Sequence, residues 1–443
     1  MNGRPSESPR DRALSARGRR WLLLICLVAL GLRLLATAVF EGLASPPNEG
    51  AMYDGVEYNA IASNVVRIGE FSVTPGHPTS FRAPGFPLAL AGVYAVFGDR
   101  NYLAAHLFFC LVGAALCIAT YLVAREMTDE PTALLAAGFV AVYPNLAYYA
   151  IHFASEPLFT LLLTLSVWVL LRAWRKGGWV GAVVAGLLLG LAALVRPAAF
   201  YFVPFFAIAF LARYRRLAPS VLSVAAMGIG VLLPIVPWAV RNYAVHHRYV
   251  LVASNGGSTF WGANNQLVLD TPELHGTWIS TEQMPEEKKP VRALTNEVAR
   301  DSAEWAIGKA FLRDHVTSVP RLVWYKFYAM WTPVSETPNA KFNRILEVSY
   351  GAALPFMVVG LVMVGRRRGW TDAAFLAVMA PIVATTAASV VFYGSARFRS
   401  TIEPLLLIFA AAAVIPLVTR VLYRAGGSRV EATSVGDSRI GVQ

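Results

Sequence analysis

Ten long apolar segments constrain the fold of this chain more than any other feature. A helix needs about 20 predominantly apolar residues to cross the hydrocarbon core of a bilayer. With 56% hydrophobic and only 15% charged residues, the composition is typical of a polytopic membrane protein and unlike that of a soluble enzyme. We therefore predict an all-α protein with about ten transmembrane helices. The apolar segments are residues 21–40, 102–124, 132–149, 158–174, 179–195, 198–212, 221–240, 349–364, 372–392 and 402–422.

Polar stretches divide the chain into five regions. They are a basic tail (1–20), a membrane module (21–240) with an opening loop at 41–100, a large loop (241–348), C-terminal spans (349–422) and a tail (423–443). The first span has no clean signal-peptide cleavage site, so we predict that it is retained. The large loop is too charged to cross a bilayer, and its aromatic run at 320–331 is either interfacial or the start of another span. The small, polar final tail is predicted to be disordered.

The distribution of positive charge predicts the orientation of the spans. Cytoplasmic loops collect Lys and Arg, and long domains do not count in this rule. With the N-terminus inside, the inner tails and short links hold twenty Lys and Arg residues, whereas the outer links and the opening loop hold six. We therefore predict a cytoplasmic N-terminus and a cytoplasmic C-terminal tail.

Two other interpretations of the composition are excluded. The net charge of +12 does not indicate nucleic-acid binding, because most of the positive charge lies in short clusters between apolar segments, as membrane topology requires. The three cysteines, Cys26, Cys110 and Cys117, all lie inside apolar segments. A disulfide framework would need cysteines in the exported loops.

Ionisable residues at the predicted outer ends of several spans form the candidate site. Charge beside a low-dielectric region is costly, so such residues are usually paired or functional. Because five separate segments bring ionisable groups to one face, we predict a shared polar cavity there. The residues are Asp54, Glu57, Arg82, His152, Glu156, Arg196, Arg397 and Arg399.

Each of these residues also has a purely local interpretation. Asp54 is a candidate N-cap for a surface helix that starts near Val56. Glu156 followed by Pro157 fits a helix start, where an acid and a proline are both favoured.

Gly186 and Gly190 predict a packing contact between two helices. Their spacing gives one helix face of small residues that allows close approach of a neighbouring helix.

Four short motifs carry a resemblance to a known family. Asp54 with Tyr58 lies in the opening loop, and the Pro-rich run from Arg82 to Leu88 follows it. Ser155-Glu156-Pro157-Leu158 opens the fourth span, and an Arg-aromatic-Arg motif beginning at Arg397 leads to Pro404 in the last span. In order and sidedness the chain resembles the polyprenyl-phosphate-dependent glycosyltransferases of the GT-C class, above all the protein O-mannosyltransferase, aminoarabinose-transferase and galacturonosyltransferase group.

Two positions depart from the pattern of that group. Its opening motif often has adjacent acids, whereas Gly55 and Val56 separate Asp54 from Glu57 here. Its second acid is commonly Asp, and here it is Glu156.

The resemblance implies a GT-C fold and an integral membrane glycosyltransferase of a bacterial inner or plasma membrane. Such an enzyme transfers a sugar from a polyprenyl-phosphate donor to a hydroxyl of a lipid, glycan or protein acceptor on the extracytoplasmic face, as in modification of lipopolysaccharide or protein in the cell envelope. Two alternatives stay open. One is a flippase or transporter of lipid-linked sugars, and the other is a glycan polymerase or ligase with a diphosphate-linked donor.

The chemistry of transfer assigns a role to each candidate residue. Asp54 is the predicted general base of one inverting step. Glu156 orients the acceptor or assists a metal. Arginine forms bidentate bonds to phosphate, so Arg82, Arg397 and Arg399 are the predicted phosphate ligands. Arg196 is a further candidate, and Glu57, Tyr58 and His152 complete the predicted substrate contacts. No cofactor is certain, but a divalent metal with Asp54 and Glu156 as ligands stays open.

Overall fold

The protein is a bundle of α-helices. The computed structural model describes residues 15–50, 52–176, 179–284, 291, 293–334 and 340–434. In this part of the chain, the only β-structure is a single bridge between Ser72 and Pro78. The α-helices are α1 (Ala16–Phe40), α2 (Tyr53–Ile68), α3 (Gly85–Phe97), α4 (Tyr102–Met127), α5 (Glu130–Val142), α6 (Pro144–Ile151), α7 (Glu156–Lys176), α8 (Val180–Val195), α9 (Val203–Tyr214), α10 (Leu217–His246), α11 (Gly256–Gly262), α12 (Gln266–Asp270), α13 (Glu297–Asp314), α14 (Val319–Trp331), α15 (Ala340–Arg368), α16 (Ala373–Val391), α17 (Ala396–Ser400) and α18 (Glu403–Ser434).

Each of the ten apolar segments coincides with helix in the described residues, but eight helices, or nine with a bent pair, qualify as candidate spans. Eight are long and apolar enough to cross a bilayer: α1, α4, α7, α9 with the 3₁₀ turn before it, α10, α15, α16 and α18. The bent pair of α5 and α6 can form a ninth span, and the apolar helix α8 is shorter than the others, with 16 residues. The predicted fold class, an all-α polytopic membrane protein, is confirmed. Helix α18 continues to Ser434, beyond the predicted end of the last span, and residues 435–443 lie outside the described residues.

The third predicted span is broken, and a buried arginine satisfies the break. Helices α5 and α6 meet at an angle of 51° because Pro144 has no N–H to continue the helical hydrogen bonds. This leaves the last carbonyl groups of α5 without helical partners. Arg33 of α1, which is fully buried, donates to the Val140 carbonyl at 3.2 Å and to the Ala141 carbonyl at 3.0 Å. Arg33 is therefore a structural residue that joins α1 to the break.

Small residues allow α8 to lie directly against α10. A Cβ atom added at Gly186 would collide with the Met227 carbonyl oxygen, and one at Gly190 would collide with that of Val231. Gly230 of α10 faces the Val183 carbonyl in the same way. The packing face predicted from Gly186 and Gly190 is confirmed. It fixes the position of α8, whose last residue directly precedes the candidate site residue Arg196.

The opening loop and the large loop are joined through one carboxylate. Glu297, at the start of α13, accepts hydrogen bonds from Thr79 Oγ1 at 2.6 Å, from the Ser80 N–H at 2.6 Å and from Ser254 Oγ at 3.0 Å. Arg241, near the end of α10, donates to the Thr79 carbonyl at 2.7 Å. These bonds hold the segment of the opening loop that leads into Arg82 of the candidate site.

The aromatic run of the large loop forms a short helix. Helix α14 has 13 residues and is not among the candidate spans. Trp324 is exposed and stacks on Phe327, whereas Lys326 and Met330 on another face are buried. An exposed aromatic face beside a buried one fits the interfacial alternative that the sequence left open.

Candidate active site

The first turn of α2 brings Asp54 against the segment that leads into α7. Met52 is the N-cap residue of α2 and Asp54 lies inside the first turn, so the local interpretation of Asp54 as the N-cap is wrong. A Cβ atom at Gly55 would lie 2.9 Å from Phe153 Cβ and 3.1 Å from the Phe153 carbonyl oxygen. Gly55 therefore permits the close approach of α2 to the residues just before Glu156.

Three carboxylates and three arginines alternate in one continuous chain of contacts, which we call the charge chain. Its members, in spatial order, are Glu57, Arg82, Asp54, Arg397, Glu156 and Arg196. They come from α2, the Pro-rich run before α3, the ends of α7 and α8, and α17. Six of the nine site residues predicted from the sequence thus contact one another in a single cluster.

Asp54 lies at the centre of the charge chain with both carboxylate oxygens occupied. Arg82 Nη1 contacts Asp54 Oδ1 at 2.9 Å, and Arg397 Nη2 contacts Asp54 Oδ2 at 2.7 Å. Burial alone would raise the pKa of the Asp54 carboxyl, but the neighbouring guanidinium groups of Arg397 and Arg82 hold that pKa well below its usual value. Asp54 is therefore ionised and strongly held by two arginines.

Arg397 bridges the two acids that the sequence predicted as catalytic. Besides Asp54, it contacts Glu156 Oε1 through its Nε. The same Glu156 oxygen accepts from Arg196 Nη1, which also donates to Ser155 Oγ at 3.1 Å. The Glu156 side chain is only 1% exposed, whereas those of Asp54 and Arg397 are 20% and 22% exposed. The site is thus open to solvent around Asp54 and closed around Glu156.

Aromatic rings flank the arginines of the charge chain. The Arg82 guanidinium lies 5.8 Å from the ring centre of Tyr58, a residue that the sequence predicted for the site. Arg196 lies 5.4 Å from the ring centre of Phe398. Burial raises the pKa of Tyr393, which the charges of Arg397, Arg196, Asp54 and Glu156 also influence. Phe398, the aromatic residue of the Arg-aromatic-Arg motif, and Tyr393, just before that motif, were not among the predicted site residues, although their proximity to Arg397 in the sequence is a signal that could have found them.

Two predicted site residues lie in other contacts. His152 Nε2 contacts Glu41 Oε1 at 2.9 Å, and its Nδ1 is 2.7 Å from the Tyr148 carbonyl oxygen. This arrangement joins the end of α1 to α6. His152 is thus not a member of the charge chain.

Arg399 is 2% exposed and belongs to a second buried cluster. Its Nε contacts Glu403 Oε1 at 3.1 Å, and its Nη1 donates to the carbonyl oxygens of Met330 and Thr332 at 2.7 Å each. Its guanidinium also lies 3.5 Å from the ring centre of Tyr350. These contacts indicate that Arg399 holds α14 and α17 together, which is a different role from the predicted phosphate contact.

The charge chain does not fit a resident divalent metal. The described residues contain no group of three or more His, Cys, Asp or Glu side chains arranged to hold a metal. Both oxygens of Asp54 contact guanidinium groups, and Glu156 Oε2 is the one oxygen of these two acids without a hydrogen-bond partner. Three adjacent arginines would repel a divalent cation. We therefore assign no step to a metal.

Part of the chain matches a known family. Residues 77–240 match the family described as dolichyl-phosphate-mannose-protein mannosyltransferase. This region contains Arg82, Glu156 and Arg196, and it excludes Asp54 and Arg397. A search of curated proteins finds no significant match.

Solved structures of an archaeal oligosaccharyltransferase share the fold, and a bacterial transferase is a weaker match. The Archaeoglobus fulgidus oligosaccharyltransferase in its apo form has a TM-score of 0.58 and 14% identity, covering 93% of this chain and 52% of that chain. Oligosaccharyltransferase AglB from the same organism, in complex with an inhibitory peptide and a dolichol-phosphate, has a TM-score of 0.56 and 15% identity over 97% of this chain and 53% of that chain. ArnT from Cupriavidus metallidurans bound to undecaprenyl phosphate has a TM-score of 0.42 and 15% identity over 90% and 78%.

The partial family match and the shared fold confirm the resemblance to the GT-C membrane glycosyltransferases that the sequence predicts. Within that class, the matched family is the protein mannosyltransferase family, which belongs to the group predicted from the motifs. The chain spans about half the length of the two oligosaccharyltransferase chains.

Proposed function

We propose that this integral membrane protein transfers a sugar from a polyprenyl-phosphate donor to a hydroxyl acceptor on the extracytoplasmic face of a bacterial inner or plasma membrane. The observation that carries the proposal is the position of Asp54, a partly exposed carboxylate between two arginines at the ends of apolar helices. Such a donor combines an apolar tail with an anionic phosphate at the interface. The matched family and the dolichol-phosphate bound by AglB support this class of donor.

Arg82 and Arg397 are the proposed ligands of the donor phosphate. A guanidinium stays charged beside lipid and binds phosphate oxygens through paired hydrogen bonds. Both arginines already contact the proposed base, so a phosphate that they bind lies next to Asp54. Stabilising the negative charge of a leaving group is usually the largest electrostatic contribution to such a reaction.

Asp54 is the proposed general base, and binding of the donor phosphate frees it from its contacts with the arginines. Asp54 cannot take a proton readily while both of its oxygens contact guanidinium groups. A donor phosphate competes for Arg397 and Arg82, and loss of either contact raises the pKa of Asp54 towards its ordinary range. Asp54 then accepts the proton of the acceptor hydroxyl. Binding of the donor thus prepares the base for the acceptor.

The transfer itself is a single displacement with inversion. The acceptor oxygen attacks the anomeric carbon from the face opposite the phosphate as its proton passes to Asp54. The bond between that carbon and the phosphate oxygen breaks, and both electrons leave with the lipid phosphate. That leaving group is a stable anion that needs no proton, so one carboxylate suffices where glycoside hydrolases need two.

Glu156 acts through the arginines in this proposal. Its side chain is almost fully buried, and one of its oxygens contacts both Arg196 and Arg397. A buried carboxylate with two cationic partners fixes their position more readily than it reaches an acceptor. We therefore favour a positioning role for Glu156 over direct orientation of the acceptor.

An apolar groove offers a place for the polyprenyl chain of the donor. It has a volume of about 460 Å³ and lies between α14, α15 and α16. Phe327, Trp331, Met357, Met379 and Val383 contribute to its lining. Flexible methionine side chains adapt to a branched hydrocarbon chain. We propose that part of the donor tail lies in this groove.

Sugar transfer by the purified protein in nanodiscs tests the proposed function. We expect the wild type to move label from a radiolabelled polyprenyl-phosphate sugar to a hydroxyl acceptor and to release polyprenyl phosphate. Movement of intact lipid-linked sugar across vesicles without that release would instead indicate a transporter. Activity only with diphosphate-linked donors would indicate the polymerase or ligase alternative.

A further inference from the structure

Two segments that are distant in the sequence pack side by side against the backbone of helix α14. Gly276 of the large loop lies against the carbonyl of Tyr325, and Gly394 lies against the carbonyl of Lys326, the next residue along α14. A Cβ atom at either glycine would collide with that carbonyl oxygen. The Gly394 N–H also donates to the Gly276 carbonyl at 2.8 Å. These contacts require glycine at both positions.

Lys326 adds a second connection at the same place. Its side chain is 1% exposed, and its Nζ donates to Asn264 Oδ1 at 2.7 Å and to the Val391 carbonyl at 3.1 Å. Among the described residues no carboxylate contributes to its electrostatics, and burial lowers its pKa to about 7. A buried ammonium without a counter-ion is unfavourable. The two hydrogen bonds of the buried ammonium connect α14 to Asn264 and to Val391.

The connected segment carries Arg397. Val391 ends α16, Gly394 lies in the link that follows, and Arg397 is in the five-residue helix α17. Ser395 Oγ accepts from the Arg397 N–H at 3.1 Å and caps that short helix. The contacts of Val391 and Gly394 with α14 and the large loop therefore fix the link from which the Arg397 guanidinium reaches Asp54 and Glu156.

We infer that Lys326 and Gly394 are positioning residues for Arg397, and that α14 transmits the position of the Gly276 segment of the large loop to the phosphate-binding side of the site. This inference rests on the proposed role of Arg397 in binding the donor phosphate. A guanidinium displaced by about 1 Å no longer satisfies its phosphate and its carboxylates together, and misplacements of this size can cost about a hundredfold in rate. Neither Lys326 nor Gly394 needs to touch the donor for this effect.

A double-mutant cycle on binding of undecaprenyl phosphate in nanodiscs tests the inference. We expect Lys326→Met and Arg397→Ala each to weaken binding by about tenfold, and the double variant to bind no more weakly than Arg397→Ala alone. Met has a similar volume and removes a buried charge, so folding is expected to persist. Additive losses would overturn the inference, because Lys326 would then act independently of Arg397.

Two further variants separate positioning from simple packing. Lys326→Gln keeps a hydrogen-bond donor and should recover most of the binding that Lys326→Met loses, whereas a packing role predicts equal losses. Gly394→Ala should weaken binding as Lys326→Met does, and Gly138→Ala, where a Cβ atom meets open space, should not. If Gly394→Ala binds like the wild type, the inference is wrong.

The same assay distinguishes failure of the inference from failure of the proposed function. If Arg397→Ala loses binding while Lys326→Met and Gly394→Ala keep it, Arg397 binds phosphate without this support, and the inference alone fails. If Arg397→Ala binds undecaprenyl phosphate as well as the wild type does, the phosphate-binding role in the proposed function fails.

Discussion

Removal of the Arg397 guanidinium should destabilise the protein through a specific residue, Glu156. In Arg397→Gln, the buried Glu156 carboxylate keeps Arg196 as its one cationic partner. Loss of one partner of a buried ion pair costs about 3–5 kcal/mol. Because Arg196 remains and Arg397 is partly exposed, we expect a decrease in the free energy of unfolding near the lower end of that range.

The double variant Glu156→Gln with Arg397→Gln tests the cause of this decrease. It removes the uncompensated buried charge together with its partner, so it should recover much of the lost stability while sugar transfer stays impaired. Unfolding in detergent, followed by tryptophan fluorescence in denaturant, measures the free energies of all variants. Arg344→Gln is the control, since Arg344 is 80% exposed and its contact with Glu347 is 3.8 Å long.

Two results would refute the reasoning about Glu156. One is an Arg397→Gln variant that is no less stable than Arg344→Gln. The other is a double variant that shows the sum of the two single losses, since additivity would mean that the two side chains do not interact.

Three further predictions follow from the site. The ion pairs of Asp54 lower its pKa in the folded state. They therefore stabilise the protein above the ordinary carboxyl pKa of about 4, and this stabilisation is lost as the pH falls further. The stability of Asp54→Asn should lack this dependence on acid pH. Gly55→Ala should reduce transfer about tenfold or more, because its Cβ would press on Phe153, and Gly138→Ala should leave the rate unchanged. Ala387→Phe, which fills the apolar groove, should raise KM for long polyprenyl donors and leave KM for short-chain donors unchanged.

Much of the fold could be predicted because membrane spans leave a strong composition signal. All ten apolar segments correspond to helices. The break between α5 and α6 was missed, although Pro144 marks it, because the apolar run continues without interruption across the break. The role of Arg33 could not be predicted, since its carbonyl partners at Val140 and Ala141 are distant in sequence.

The candidate site was predictable as a set of residues and not as a set of contacts. The positions of charges at helix ends follow from the apolar segments, whereas the partner of each arginine depends on how the loops fold. Arg397 and Arg399 look equivalent in the sequence, but residues two apart on a helix do not share a face. Glu403 lies four residues after Arg399 and forms an ion pair with it. That spacing was the signal in the sequence that distinguishes Arg399 from Arg397.

Residues in the large loop were the hardest to interpret. Lys326 lies in an aromatic run that the sequence could not assign to the interface or to a span. Its partners, Asn264 and Val391, come from distant parts of the chain. Gly276 lies in no motif, and Gly394 lies beside the C-terminal arginine motif without a predicted role. The importance of both follows from the backbone of α14 that each of them touches.

The rate of a single turnover with Asp54→Asn tests the central claim most directly. Enzyme in excess over a radiolabelled polyprenyl-phosphate sugar reports the chemical step, and Asp314→Asn, which changes an exposed carboxylate at the end of α13, is the control. We expect Asp54→Asn to fold and to bind the donor but to transfer sugar about 10²–10⁴ times more slowly, as loss of a general base predicts. Transfer by Asp54→Asn at the wild-type rate would contradict the assignment of Asp54 as the base.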